Sequence, residues 1–168
     1  MLRLSLSSLD QTHRFGALLA ELLQPGDRLL LAGEIGAGKT TLARVIGATL
    51  DADPPLTSPT FILMSEHRGL MPIWHVDAYR LPEGSDPLTH GLIDERQANG
   101  LTIVEWPNLL RWPAAEHDGE RDSGEIAITL QQGDAEGQRN LQINWSDVAR
   151  REHLRDALRG AGIESHDA

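Results

Sequence analysis

Cysteine is absent from the 168-residue chain. Its absence excludes disulfide bonds, thiolate catalysis and cysteine-ligated metal, and it agrees with a reducing cytoplasm. The seven histidines show no short metal-ligand spacing, and no G-x-S-x-G nucleophile elbow occurs. Thiol chemistry, structural zinc and a serine-hydrolase site are therefore not predicted.

Long apolar runs and an excess of positive charge are also missing. No run approaches the roughly 18 residues that are needed to span a bilayer, and the chain does not start with a basic segment followed by an apolar one. We therefore expect a soluble protein with no membrane partner. The 25 acidic side chains outnumber the 15 basic ones, for a formal charge of −10. Because this charge repels a nucleic-acid backbone, direct tight binding of RNA or DNA is not predicted.

One stretch of the sequence carries a motif with a defined chemistry. Residues 33–40, Gly-Glu-Ile-Gly-Ala-Gly-Lys-Thr, match the phosphate-binding G-x-x-x-x-G-K-[ST] loop. Residues 28–32 before it are typical of a buried strand, and residues 41–50 after it are typical of a helix. The glycines allow successive N–H groups to surround a phosphate at the positive end of that helix. A chance glycine turn would not explain the lysine and threonine at their fixed offset.

The motif predicts a role for each side chain that follows the glycines. Lys39 is expected to reach the β- and γ-phosphates, Thr40 to bind Mg²⁺, and Thr41 to bond an α-phosphate oxygen. The predicted cofactors are therefore a nucleotide with β- and γ-phosphates and Mg²⁺. The loop residues that we predict to contact the nucleotide are Glu34, Ile35, Gly36, Ala37, Gly38, Lys39, Thr40 and Thr41.

Two acidic residues stand at the ends of hydrophobic runs beyond the loop. Asp77 ends the run from residue 72, and Glu105 ends the run from residue 101. Ligands of open α/β sheets collect beyond the carboxyl ends of the strands, where carboxylates suit a Mg²⁺–nucleotide site. Either acid alone could simply cap its strand. The pair beside a phosphate-binding loop favours a site.

Hydroxyl-bearing residues at two other places have two interpretations each. Ser58 and Thr60 lie roughly twenty residues beyond the lysine, where nucleotide switches place a γ-phosphate sensor. They are equally consistent with ordinary turn residues. Thr12 lies at the start of an apolar helical stripe, where a polar residue at a helix end is the simpler interpretation.

The pattern as a whole predicts an α/β fold. We expect a P-loop NTPase-like domain with a mostly parallel sheet, flanking helices and an antiparallel hairpin at the edge of the sheet. The predicted hairpin consists of residues 125–130 and 139–145, and a first helix is predicted from about Asp10 to Leu23. A final helix begins at Ser146 and has an arginine-rich face that is either solvated or a docking surface. We predict one domain over residues 1–160 and a disordered tail over residues 161–168.

Several segments, taken in order, resemble one known family. They are Gly33-Glu-Ile-Gly-Ala-Gly-Lys-Thr-Thr-Leu-Ala-Arg44, Ser58-Pro-Thr-Phe61, His75-Val-Asp-Ala-Tyr-Arg-Leu81, Gly91-Leu92 and Glu105-Trp-Pro107. Over about residues 4–113 the chain resembles the TsaE (YjeE) family. The ordered set is far more specific than any one short motif beyond the P-loop.

The resemblance implies a bacterial, cytoplasmic ATPase that uses ATP and Mg²⁺ and works with TsaB and TsaD. These proteins form N6-threonylcarbamoyladenosine at position 37 of tRNA, and this chain would contact tRNA only indirectly. By resemblance, Thr40 and Glu105 are the Mg²⁺ ligands, Lys39 binds phosphate, residues 58–61 form a switch, and Asp77 is a catalytic or water-positioning acid. Thr12 becomes a nucleotide contact, and Asn108 and Arg139 are candidates for the outer edge of the nucleotide.

Two other functions fit the same fold. A small-molecule kinase would need an acceptor pocket and a lid with several arginines, whereas the stretch between Tyr79 and Gly100 contains only Arg80 and Arg96. A nucleotide-dependent adaptor would dock in one nucleotide state without hydrolysis. The products of the reaction distinguish these functions from an ATPase.

Overall fold

An eight-stranded sheet forms the frame of the computed structural model, which describes residues 1–59, 61–111 and 124–167. The strands are β1 Leu2–Leu6, β2 Arg28–Ala32, β3 Met64–His67, β4 Ile73–Asp77, β5 Leu101–Glu105, β6 Glu125–Gln132, β7 Arg139–Trp145 and β8 Ser165–Asp167. The helices are α1 Leu9–Ala20, α2 Lys39–Thr49 and α3 Val148–Gly160, with short 3-10 helices at Glu95–Asn99 and Pro107–Leu109.

The strand order places the phosphate-binding loop at the middle of the sheet. The order is β3-β4-β5-β2-β6-β7-β1-β8, and β4, β5, β2 and β6 run parallel. The loop follows β2, whose neighbours are β5 and β6. Since parallel strands end at the same edge of a sheet, the ends of β4 and β5 lie beside the loop. The predicted α/β, P-loop NTPase-like fold is confirmed.

The antiparallel part of the sheet is larger than the predicted hairpin. Strands β6 and β7 do pair as a hairpin, but β1 and β8 lie beyond it, so the hairpin is not the edge. In β1 the leucines at positions 2, 4 and 6 are buried and the residues between them are exposed, which is the period of a strand with one covered face.

The predicted disordered tail contains a strand. Residues 165–167 form β8 and pair with β1 over Leu2 to Leu4. Ile163, which is only 2% exposed, anchors the turn after α3 in the core. This anchor brings the residues that follow it alongside β1.

The three helices lie on one face of the sheet, where α1 contacts both α2 and α3. Ser8 caps α1, because its hydroxyl accepts a hydrogen bond from the N–H of Gln11. Helix α2 buries Leu42 and Ile46 in the main core. A smaller apolar cluster covers the opposite face of the parallel strands and includes Leu30, Val76, Val104 and Leu110. No helix among the described residues is long and apolar enough to cross a bilayer.

Candidate functional site

The phosphate-binding loop connects β2 to α2 and depends on glycine at two positions. Gly33 has φ +143°, and a Cβ there would lie 2.3 Å from the carbonyl oxygen of Leu130 on β6. Gly38 has φ +105° and forms the N-cap of α2. Both torsions lie in the region that favours glycine, so the loop can pass close to the sheet and present backbone N–H groups at the start of the helix.

A cavity of about 400 Å³ opens beside this loop, at the carboxyl ends of β4 and β5. It brings together most of the predicted site residues, although they come from four separate parts of the chain. Those that line it are Ile35, Gly36, Gly38, Lys39, Thr40, Thr41, Asp77, Glu105 and Arg139. Ser58 lines it as well.

Lys39 is held by the loop itself. Its Nζ donates hydrogen bonds of 2.8 Å to the carbonyl oxygens of Gly33 and Glu34, and it lies 3.8 Å from the centre of the Trp106 ring. Burial lowers the pKa of Lys39 from its ordinary value, while the carboxylates of Glu105 and Asp77 act in the opposite direction. A phosphate that entered the cavity would exchange these neutral carbonyl contacts for charged ones.

Thr40 and Glu105 form the innermost polar pair. The Thr40 hydroxyl donates to Glu105 Oε2 at 2.7 Å, and Glu105 Oε1 is 2.9 Å from His75 Nε2. The Glu105 side chain is 2% exposed. A hydroxyl and a carboxylate beside a phosphate cavity are hard oxygen donors, which is the set that Mg²⁺ takes in nucleotide sites. The residues present therefore fit the predicted metal.

Asp77 lies next to Glu105 in the register of the parallel strands β4 and β5. Its Oδ2 accepts a hydrogen bond from the Ser58 hydroxyl at 2.9 Å, and its Oδ1 accepts one from the N–H of Tyr79 at 3.0 Å. The predicted switch is thus connected to the site through Ser58. Phe61 is 83% exposed with the Arg80 guanidinium over its ring, and Thr60 lies outside the described residues.

A second cavity, of about 340 Å³, lies on the other side of the loop. Thr12, Ala37 and Gly38 line it, and Thr12 is buried in α1 with its hydroxyl bonded to the carbonyl of Ser8. Arg139 borders both cavities and donates to the carbonyl oxygen of Ala37 at 2.9 Å. Asn108 is exposed and does not belong to the described lining of either cavity.

Comparison with known proteins identifies the family. The family model described as "Threonylcarbamoyl adenosine biosynthesis protein TsaE" matches residues 6–141. This chain belongs to the TsaE family. The match extends through β6 to the start of β7, well beyond the residue 113 at which the resemblance of the motifs ends.

Two curated TsaE relatives and one solved structure show the extent of this similarity. The Streptomyces coelicolor protein is 44% identical over 97 residues, which is 56% of this chain and 66% of that protein. The Nostoc protein is 36% identical over 144 residues, which is 85% of each. Both are named tRNA threonylcarbamoyladenosine biosynthesis protein TsaE. The crystal structure of Bacillus subtilis YdiB has a TM-score of 0.66 and 21% identity, and it covers 96% of this chain and 97% of its own, which shows the shared fold.

Three side chains of this TsaE chain were not predicted: Tyr79 and Trp106, which line the first cavity, and His75, which contacts Glu105 from behind it. The Trp106 ring contacts the Lys39 ammonium and lies 5.0 Å from the ring of Tyr79. The signal was its place directly after Glu105 at the end of a strand. For His75 the signal was its spacing from Asp77. It stands two residues before Asp77, and side chains at that spacing lie on one face of a strand.

Proposed function

We propose that the protein is a Mg²⁺-dependent ATPase. In this proposal it is the ATP-hydrolysing subunit that acts with TsaB and TsaD in forming N6-threonylcarbamoyladenosine at position 37 of tRNA. The observation that carries the proposal is the 2.7 Å contact between Thr40 and Glu105 beneath a cavity that is framed by the phosphate-binding loop and Lys39. A phosphate cradle, a lysine and paired oxygen ligands are the parts that phosphoryl transfer requires.

In the proposed transfer of the phosphoryl group to water, different residues of the chain have different roles. The backbone N–H groups of the loop and the Lys39 ammonium bind the phosphates and neutralise their charge. Thr40 and Glu105 would hold Mg²⁺, which when bound would offset the negative charge that develops on the phosphate oxygens. The Asp77 carboxylate accepts a hydrogen bond from the attacking water and orients it toward the γ-phosphorus. Thr12 and Arg139 contact the nucleotide beyond its phosphates.

Membership of the TsaE family supports the place in tRNA modification. The matching family model and the relatives carry threonylcarbamoyladenosine biosynthesis in their names. The chemistry on the tRNA base belongs to TsaD in this proposal, and the present chain supplies an ATP-driven step in the cytoplasm. The formal charge of −10 supports contact with tRNA through partner proteins.

Product analysis tests the proposed activity. Incubation with ATP, Mg²⁺ and the partner proteins should release inorganic phosphate. Lys39→Ala is the control, since loss of a charge-assisted contact of roughly 1.5–3 kcal/mol should weaken nucleotide binding about ten- to a hundredfold. A phosphorylated small molecule in place of free phosphate would indicate a kinase, and neither product would indicate an adaptor. Normal nucleotide affinity and hydrolysis in Lys39→Ala would refute the site.

A further inference from the structure

We propose that His75 is a positioning residue for Glu105. Its Nε2–H donates to one carboxylate oxygen and so directs the other oxygen toward Thr40, which holds the two metal-binding side chains in register. The inference rests on the proposed function, because it concerns how the Mg²⁺ site is built. His75 does not line the cavity beside the loop, so its effect passes through Glu105.

The position of His75 in the sheet is one that normally holds an apolar residue. It lies at the middle of β4, is fully buried, and has Ile103 as its Cα partner on β5. Ile73 and Ile103 belong to the main core between the sheet and the helices, and alternation places His75 on the same face as Ile73. An aliphatic side chain would fill this position without burying polar atoms.

The hydrogen-bonding pattern shows what the imidazole contributes. An ionised carboxylate only accepts hydrogen bonds, so His75 Nε2 must carry the hydrogen in its 2.9 Å contact with Glu105 Oε1. The other ring nitrogen, Nδ1, is buried without a hydrogen-bond partner among the described residues. A buried nitrogen without a partner costs free energy. In the part of the chain that the structure describes, the polar contact that offsets this cost is the one with Glu105.

The same contact defines the orientation of the carboxylate. Glu105 Oε1 accepts a hydrogen bond from the buried His75, and Glu105 Oε2 accepts one from the Thr40 hydroxyl at 2.7 Å. With both oxygens engaged, the terminal torsion of Glu105 is restrained, and the hydrogen of Thr40 points at Glu105. The lone pairs of the Thr40 oxygen are then free to face a metal. Outer partners of this kind typically change metal affinity about 10- to 100-fold when they are removed.

Two amide variants separate positioning from packing. In His75→Gln the amide nitrogen is as many bonds from Cα as the imidazole Nε2, so it can reach Glu105 Oε1. In His75→Asn the amide is one bond shorter and ends at the place of Nδ1. Both variants introduce the same chemical group into the same buried position. A role in packing alone predicts a loss of stability that follows side-chain volume, with no change specific to Mg²⁺ dependence.

The measurement is the binding of a fluorescent ADP, titrated with Mg²⁺ and repeated in EDTA. We expect His75→Gln to keep the half-saturating Mg²⁺ concentration near the wild-type value, and His75→Asn to raise it about 10- to 100-fold. The affinity in EDTA should be unchanged in both variants. Ile103→Val is the matched control: it removes a methyl group next to His75 and should lower stability in urea while leaving the Mg²⁺ dependence as in wild type.

Equal Mg²⁺ dependence of the Gln and Asn variants would overturn the inference. It would also be overturned if the affinity in EDTA fell as much as the affinity in Mg²⁺, because the whole cavity would then be disturbed. The wild-type protein provides the separate check on the proposed function. If the wild type binds no nucleotide, or binds it independently of Mg²⁺, the proposed activity fails whatever the variants show.

Discussion

Glu105 and Asp77 are neighbours on adjacent strands, yet their contacts differ in kind. Glu105 is engaged from within the core by His75 and Thr40. Asp77 is engaged by Ser58 from the exposed loop and by the backbone of Tyr79. Because Glu105 is held by Thr40, the residue next to Lys39, its position is that expected of a metal ligand. Because Asp77 accepts a hydrogen bond from an exposed loop, its position is that expected of a carboxylate that can reorient and bind the attacking water.

We predict that Glu105→Ala and Asp77→Ala fail in different ways. Glu105→Ala should raise the Mg²⁺ concentration needed for nucleotide binding, because it removes a ligand. Asp77→Ala should leave nucleotide affinity nearly unchanged and lower kcat on the order of a hundredfold, because the water is no longer oriented. Mg²⁺ titrations of binding and steady-state kinetics measure the two effects. If the titration shifted for Asp77→Ala and not for Glu105→Ala, the two roles would be exchanged.

At the scale of elements, helix α3 is joined to the sheet through its first turn. Asp147 caps the helix by accepting from the N–H of Arg150 at 3.0 Å, and the Arg150 guanidinium donates to Asp147 and to the buried Asp27. The hydrogen bonds that Asp147 accepts from Arg150 lower the pKa of Asp147 below its ordinary value of 3.8, and the bond from the Arg150 backbone contributes most. Asp147 therefore stabilises the folded state at any pH above its unfolded pKa, and the stabilisation is lost as the pH falls through the lowered, folded pKa.

Replacement of Asp147 tests this helix cap. Asp147→Ala should lower the free energy of unfolding by about 1 kcal/mol at neutral pH, and the difference should shrink as the pH falls below about 4. Asp147→Asn is the control, because the amide oxygen can still cap the helix although the charge is removed. Its free energy of unfolding should therefore fall less than that of Asp147→Ala. Urea unfolding at several pH values measures both. A difference between Asp147→Ala and wild type that stays constant down to pH 2 would contradict the assignment.

At the scale of the whole molecule, two properties bear on how the proposed ATPase activity is controlled. The formal charge of −10 opposes direct attraction of a nucleic-acid backbone. Ser58 belongs to an exposed loop, and it contributes a hydrogen bond to Asp77 at the edge of the cavity. A site with one contact on such a loop is sensitive to a protein that docks on it. Control by a protein surface is therefore the expected mode.

We predict slow ATP hydrolysis by the isolated protein and faster hydrolysis with TsaB and TsaD. A misplacement of about 1 Å can lower a rate on the order of a hundredfold, so ordering of the Ser58 loop by a partner is sufficient for a large stimulation. Steady-state phosphate release is compared for the protein alone, with tRNA, and with both partner proteins. Naked tRNA should have little effect. A fast rate without partners, or full stimulation by tRNA alone, would refute this mode of control.

The parts of the site that are local in sequence could be predicted without the structure. The glycines, Lys39 and Thr40 lie within one loop, and the apolar runs on either side determine that it joins a strand to a helix. Asp77 and Glu105 could be predicted as well, because each ends an apolar run, and the carboxyl ends of parallel strands meet at one edge of a sheet. For these residues, backbone geometry and strand direction are sufficient to predict their position at the edge of the sheet.

Only the tertiary structure decided which distant side chains touch. The contacts of Glu105 with His75, of Lys39 with Trp106 and of Arg139 with the loop join residues that are 30 or more positions apart. The alternating leucines of β1 indicate a strand with one covered face, but they cannot specify β7 and β8 as its neighbours. Hydrophobic periodicity determines which face of an element is buried. The choice of partner depends on packing over the whole sheet, which no single segment of the sequence contains.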